Sequence, residues 1–291
     1  MKEIVFSGSC TAIITPFKNE MVDYDSFKKL IAHQLENGTD AIVVLGTTGE
    51  PATLSEEEKE KIIFFAKNEI AGRAKFIVGT GANCTEKAVD NSVIAESLGA
   101  DALLIVTPYY NKCTQNGLLE HYKKISNTVS IPIIVYNVPS RTGVNILPET
   151  ALKLSEIKNI CGLKEASGDI GQIMNLCKML NGKMAIYSGD DSLNFIFLTL
   201  GGSGVISVTG NVFPKEVKLL TTLVKAGQFE EAKNLHEKLL SINKNLFIEV
   251  NPIPVKFACS QLKLCENELR LPLTPLEEKH EEIIKNCLNE F

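Results

Sequence analysis

Short, nearly continuous apolar runs alternate along this chain with stretches whose apolar residues recur every three or four positions. The runs at 11–15, 41–45, 75–78, 102–106, 131–136, 160–164, 184–187 and 204–208 predict eight strands. Runs such as AIVVL, ALLIV and IPIIVY lack the in-out alternation of a half-solvated strand. They are the pattern of strands buried on both faces, and hence of a parallel sheet. The intervening stretches carry helix-start signals. Asp25 opens one with Phe27, Leu30, Ile31 and Leu35 on one face. Ser55 and Glu58 form a capping box, in which the hydroxyl accepts from a free N–H and the carboxylate reaches back. Thr85 and Asn116 open two more helices, and Pro148 suits a first helical turn.

Eight strand–helix repeats within about 225 residues predict a closed (β/α)8 TIM barrel. The alternative, a doubly wound sheet, calls for a glycine-rich turn after the first strand, and Thr15-Pro16-Phe17-Lys18 offers none. From about Phe213 the pattern is helical to the end, with helices expected at 228–247, 252–262 and 275–288. The predicted organisation is a catalytic barrel over 1–225 and a C-terminal helical extension over 226–291.

Composition narrows the function. Of 291 residues, 44% are hydrophobic and 22% charged, the balance of a folded globular chain. A net charge of −5, with no basic block longer than two residues, lacks the footprint of a nucleic-acid binder. No stretch approaches the roughly eighteen apolar residues of a membrane span. Ser7-Gly8-Ser9-Cys10 is similar in outline to a lipoprotein cleavage site, yet only Ile4, Val5 and Phe6 precede it, against the roughly 7–15 apolar residues of a signal core. The expectation is a cytoplasmic protein without membrane or nucleic-acid partners. Eight cysteines are scattered with no C-x-x-C pair, so free thiols are expected.

Barrel chemistry is presented at the C-terminal ends of strands. Those positions here hold Gly46-Thr47-Thr48-Gly49-Glu50, Thr107-Pro108-Tyr109-Tyr110-Asn111, Tyr136 through Gly143, Lys164-Glu165, Ser188-Gly189-Asp190-Asp191 and Ile206-Ser207. Lys164 closes an apolar strand, where desolvation lowers a lysine pKa and makes the amine a nucleophile toward carbonyls. A lysine at a strand end is at least as often half of an ion pair, and Glu165 and Asp190 are candidate partners. Tyr136 ends the neighbouring strand. Its phenol is either a proton shuttle for an imine-forming lysine or an aromatic cap on the barrel core. Thr47 and Thr48 either pass protons and bind a carboxylate or merely form a tight turn.

A metal site calls for converging histidines, and His33, His121, His236 and His280 all fall in predicted helices. No metal and no cofactor is expected. Gly201-Gly202-Ser203-Gly204 precedes its strand instead of following it, so it reads as a turn and not as a phosphate cradle. The charge run 56–60 reads as a solvated helix face.

GTTGE, PYYNK, YNVPSRTG, GLKEASGD, NPIPVKFA and LRLPLTP occur in order and in register. Together, along essentially the whole chain, they resemble the dihydrodipicolinate synthase family of pyruvate-dependent Schiff-base lyases and aldolases, which are (β/α)8 barrels with a C-terminal helical extension. The resemblance implies condensation of pyruvate with L-aspartate 4-semialdehyde, in diaminopimelate and lysine biosynthesis. It implies that Lys164 forms the Schiff base and that Tyr136 donates and accepts protons. A relay would run through Thr47 to Tyr110, the latter contributed by an adjacent subunit. Thr48 and Ile206 would hold pyruvate through backbone groups, with Gly189 nearby, and Arg141 would receive the carboxylate of the aldehyde. A homotetramer built as a dimer of dimers is implied as well. Cys113 and Pro51 depart from the family pattern in loops beside the site.

Two other readings compete. One is a sister aldolase acting on N-acetylneuraminate or 2-keto-3-deoxy sugars, which as a rule lacks an arginine at the position of Arg141. The other is a non-catalytic ligand-binding barrel, against which Lys164, Tyr136, Thr47 and Tyr110 all argue. Little feedback inhibition by L-lysine is expected. Ala52, Asn83 and Tyr109 match the effector pocket of lysine-sensitive relatives, but Lys59 and Lys87 stand where those relatives carry histidine and glutamate, and Glu86 is the nearest substitute carboxylate.

Overall fold

The structure, a computed structural model, describes residues 4–291. The first three residues of the expected barrel segment lie outside the described residues. Eight parallel strands close a barrel: β1 (Gly8–Ala12), β2 (Ala41–Val44), β3 (Lys75–Gly79), β4 (Ala102–Val106), β5 (Ile133–Asn137), β6 (Ile160–Glu165), β7 (Ala185–Ser188) and β8 (Gly204–Ser207). Each pairs with its sequence neighbours, and β1 closes the ring by pairing with both β8 and β2.

The two faces of each strand explain the unbroken apolar runs. Cys10, Ala12, Ala41, Val43, Ile77, Ala102, Leu104, Ile134, Tyr136, Tyr187 and Ile206 point inward and pack together. Ile42, Val44, Phe76, Val78, Leu103, Ile105, Ile133, Val135, Leu163 and Ile186 face outward and pack against the helices. Phe6 stacks on Tyr187 inside the barrel, with ring centroids 4.4 Å apart, and its carbonyl accepts from the Tyr187 hydroxyl at 3.0 Å.

Eight helices follow the strands in turn: α1 (Tyr24–Glu36), α2 (Glu56–Ile70), α3 (Thr85–Ser97), α4 (Gln115–Ser126), α5 (Pro148–Leu154), α6 (Ile170–Leu180), α7 (Asn194–Thr199) and α8 (Pro214–Lys225). The capping box of α2 forms as expected, and Pro148 opens α5. The end of α1 differs. Its cap is Asp23, whose carboxylate accepts from Ser26 N–H at 3.1 Å, and Asp25 sits in the first turn. The third helix opens at Thr85 as expected, with Cys84 at its cap position, and the fourth opens at Gln115, one residue before the expected Asn116, capped by Thr114.

The first strand also corrects the sequence reading. It spans Gly8–Ala12, not 11–15, because Ser-Gly-Ser looks like a loop while Ile13 and Ile14 look like a strand. Small side chains are what this strand requires. Gly8 and Gly204 lie in register at a close backbone approach, and Asp40 accepts from Ser9 N–H at 2.8 Å. Ile13 and Ile14 remain buried after the strand ends.

Beyond the barrel come α9 (Phe229–Asn245), α10 (Ile253–Gln261) and α11 (Glu278–Asn289). Leu239, Ile242, Leu246, Val255, Phe257 and Ile284 share one apolar core with the outward faces of the barrel strands. Among the described residues no helix is long and apolar enough to cross a membrane, and the cysteines are free thiols.

Candidate active site

Strand register fixes the centre of the site. Tyr136 pairs with Lys164, and Lys164 with Tyr187, near the C-terminal ends of β5, β6 and β7. Lys164 is only 5% exposed and Tyr136 7%. The Lys164 Nζ lies 4.2 Å from the centroid of the Tyr136 ring.

The ion-pair alternative for Lys164 fails on geometry. Alternation along β6 turns Glu165 to the other face, where its carboxylate accepts from Ser167 N–H at 2.7 Å and from Asn137 Nδ2 at 2.9 Å. Burial pushes that carboxyl above the usual range. Asp190 caps the turn that follows β7, accepting from Ser192 N–H at 3.0 Å, and burial raises it too. Among the described residues no carboxylate reaches Lys164. Its charge does act on Cys10, a thiol inside the barrel that burial pushes well up and Lys164 pulls down.

The other expected residues fall around this pair. Ile206, on β8, packs in the same interior cluster as Tyr136. Gly189 follows β7, and a Cβ there would stand 2.8 Å from Lys164 Cε, so only glycine lets the chain pass so close. Thr47 and Thr48 lie in a short helical turn (Thr47–Gly49) just beyond β2. Thr48 is buried and accepts from Asn251 Nδ2 at 3.0 Å. Arg141 lies in a helical turn (Pro139–Thr142) after β5, and its Nη2 donates to Asn251 O at 3.0 Å.

A cavity of about 630 Å³ opens above, lined by Thr47, Tyr136 and Arg141 among others. Lys164, Thr48, Gly189 and Ile206 are not among the residues that line it. Tyr110 is not brought to this group. It is 90% exposed, and no hydrogen bond among the described residues links Thr47 to Tyr136 or to Tyr110. The four histidines lie on α1, α4, α9 and α11, away from the strand ends. Burial takes His121 down to about 4.

An amine packed against a phenol inside a closed barrel, with an arginine at the mouth, is the arrangement expected of an imine-forming lyase. Residues 5–291 match the Dihydrodipicolinate synthetase family. The chain belongs to this family. A 4-hydroxy-tetrahydrodipicolinate synthase of Alkaliphilus oremlandii is 50% identical over 277 residues, 94% of each chain. The crystal structure of dihydrodipicolinate synthase from Thermotoga maritima superposes with a TM-score of 0.97 at 47% identity, covering 99% of both chains. A dihydrodipicolinate synthase from Acinetobacter baumannii, solved in complex with pyruvate, gives 0.96 at 46% identity over 98% of both.

Sequence reasoning missed two residues that contact this group. Asn251 joins the loop carrying Thr48 to Arg141, and Lys256 pairs with Glu50 at the end of that loop. The one available signal was a lysine inside the apolar helix IPVKFAC.

Proposed function

We propose that this chain acts as a 4-hydroxy-tetrahydrodipicolinate synthase, a lyase of lysine and diaminopimelate biosynthesis that condenses pyruvate with L-aspartate 4-semialdehyde through a lysine Schiff base. The observation that carries the residue assignments is the Lys164 amine held at 4.2 Å over the Tyr136 ring with no carboxylate to neutralise it. Lys164 attacks the ketone carbon of pyruvate. Tyr136 hands a proton to the departing hydroxyl as carbinolamine becomes imine, and takes one back as the enamine forms. The enamine carbon then adds to the aldehyde. The backbone of Thr48 and Ile206 holds pyruvate, with the bare Gly189 leaving room beside Lys164. Arg141 has donors to spare beyond its bond to Asn251, and a planar fork suits the carboxylate of the second substrate.

The relay from Tyr136 through Thr47 to Tyr110 is completed by a second copy of the chain. The near-total exposure of Tyr110 supports this reading, since a phenol needed for proton transfer has no hydrogen-bond partner among the described residues of its own subunit. Exposed apolar side chains on α6 and α7 and at the end of α7, among them Ile170, Met174, Ile196 and Leu200, supply a further surface for a dimer of dimers. In this reading 1–225 is the catalytic barrel, 226–291 its helical extension, and the cytoplasm its compartment. The test is product formation from pyruvate with either aldehyde. Turnover with L-aspartate 4-semialdehyde and none with N-acetylmannosamine is expected; the reverse preference overturns the reading.

A further inference from the structure

Two buried contacts tie the C-terminal helices to the loop after β2. Asn251 Nδ2 donates to Thr48 Oγ1 at 3.0 Å. Lys256, on α10, brings its Nζ to 2.6 Å from Glu50 Oε1, with the two side chains 0% and 1% exposed. The same Nζ donates to Glu268 O at 2.8 Å and sits 3.9 Å from the Phe17 ring centroid. Neither Glu50 carboxylate oxygen has a well-aligned hydrogen bond, so the carboxylate is compensated by charge: Lys256 in contact, with the Arg270 guanidinium acting from farther off. Burial pulls the Lys256 ammonium below its usual range, and the Glu50 charge holds it up.

Such a pair is a poor device for stability alone. Two charges taken out of water lose their hydration, and well-packed apolar residues of similar shape commonly serve as well or better. What a buried pair adds is direction. Glu50 has φ 53, in the left-handed region that a side chain disfavours, immediately after the turn carrying Thr47 and Thr48. The pair holds that residue in place at one end of the loop, while Asn251 holds the middle.

We propose that Lys256, with Asn251, is a positioning residue: it fixes the 46–50 loop so that Thr47 and Thr48 are presented correctly to pyruvate. This rests on the reading of that loop as the pyruvate-binding element. The role acts through Glu50 and Thr48, without contact to substrate.

The experiment compares wild type with Glu50→Gln/Lys256→Met, which removes both charges at nearly constant volume, and with Thr48→Ala. Thermal melting, pyruvate KM, kcat and the borohydride-trapped fraction at saturating pyruvate are measured on each. The double variant is expected to fold, to trap pyruvate to wild-type yield once saturated, and to show a pyruvate KM raised about tenfold or more, since small displacements of binding groups are costly. A merely structural pair would instead lower the melting temperature, and with it the active fraction, at constant KM. An unchanged KM in the double variant while Thr48→Ala raises it overturns the positioning role and leaves the loop's assignment standing. If Thr48→Ala, which keeps the backbone groups and removes only the Asn251 contact, also leaves KM unchanged, neither anchor positions the loop and the inference falls, whereas an unchanged KM in Thr48→Pro, which takes away the backbone N–H, overturns the loop's assignment itself. A double variant that fails to fold contradicts the inference as well, because it makes the pair essential to the fold itself.

Discussion

At the scale of single residues, the amine of Lys164 rests on an aromatic face, and the two counter-ions the sequence offers it are spent elsewhere. Glu165 is held by Asn137 and Ser167, and Asp190 caps a turn. Tyr136→Phe keeps the ring under Lys164 and removes the proton. Turnover is expected to fall roughly 10²–10⁴-fold while pyruvate still binds, the usual worth of a general acid–base group; steady-state kinetics beside an equilibrium pyruvate titration checks both halves. Arg141→Ala is expected to raise KM for L-aspartate 4-semialdehyde far more than KM for pyruvate, and equal changes would make Arg141 structural. Lys164 and Tyr136 were legible because they close neighbouring strands at the C-terminal end of the barrel. The Asn251–Thr48 contact was not, since it joins residues 203 positions apart and no local pattern encodes it.

At the scale of elements, strands and helices were readable where one principle acted alone. The capping box of α2 and the proline of α5 are local devices and formed as read. The first strand was displaced because close packing at Gly8 and Gly204 selects small residues that propensity assigns to loops. Glu58 shows a local device doubled by a distant one. Besides capping α2 it accepts from Arg270 Nη1 at 2.8 Å, and chiefly that guanidinium holds its carboxyl down at about 2 against an ordinary 4.5. A depressed pKa means the ionised form stabilises the fold. That contribution is complete above pH 4.5 and is lost as pH falls from there through about 2. Glu58→Gln preserves the capping-box residue class and weakens the Arg270 link. It is expected to cost about 1 kcal/mol at neutral pH and to flatten stability across that acid window. Denaturant melts at several pH values test this, and an undiminished acid dependence would assign the window to other carboxylates.

At the scale of the whole molecule, the cavity above Tyr136 also reaches Ala52, Asn83, Tyr109, Lys59 and Lys87. Lys59 pairs with Glu56 at 2.9 Å, and Glu86, the nearest substitute for the missing acidic anchor, is engaged with Lys124. An arriving L-lysine would meet the Lys59 and Lys87 ammonium groups, with Glu56 of the cavity wall already taken by Lys59, at a cost on the order of 1 kcal/mol for each like-charge contact near 4 Å in water. Millimolar L-lysine is therefore expected to leave activity nearly full at both saturating and low pyruvate, and strong inhibition at both would show that another group, such as Glu56, takes the anchor role. The exposed Tyr110 makes a comparable statement about assembly. Tyr110→Phe is expected to lower turnover while leaving the oligomer seen by analytical ultracentrifugation unchanged, and unaltered turnover would remove it from the relay.

The central claim is that Lys164 is the amine that captures pyruvate. Borohydride reduction in the presence of pyruvate, followed by peptide mass mapping, tests it most directly. One reduced pyruvate adduct on the peptide containing Lys164 is expected, absent from Lys164→Ala and from Lys164→Arg, whose guanidinium stays protonated. An adduct on another lysine, formed to wild-type yield in Lys164→Ala, would contradict the account.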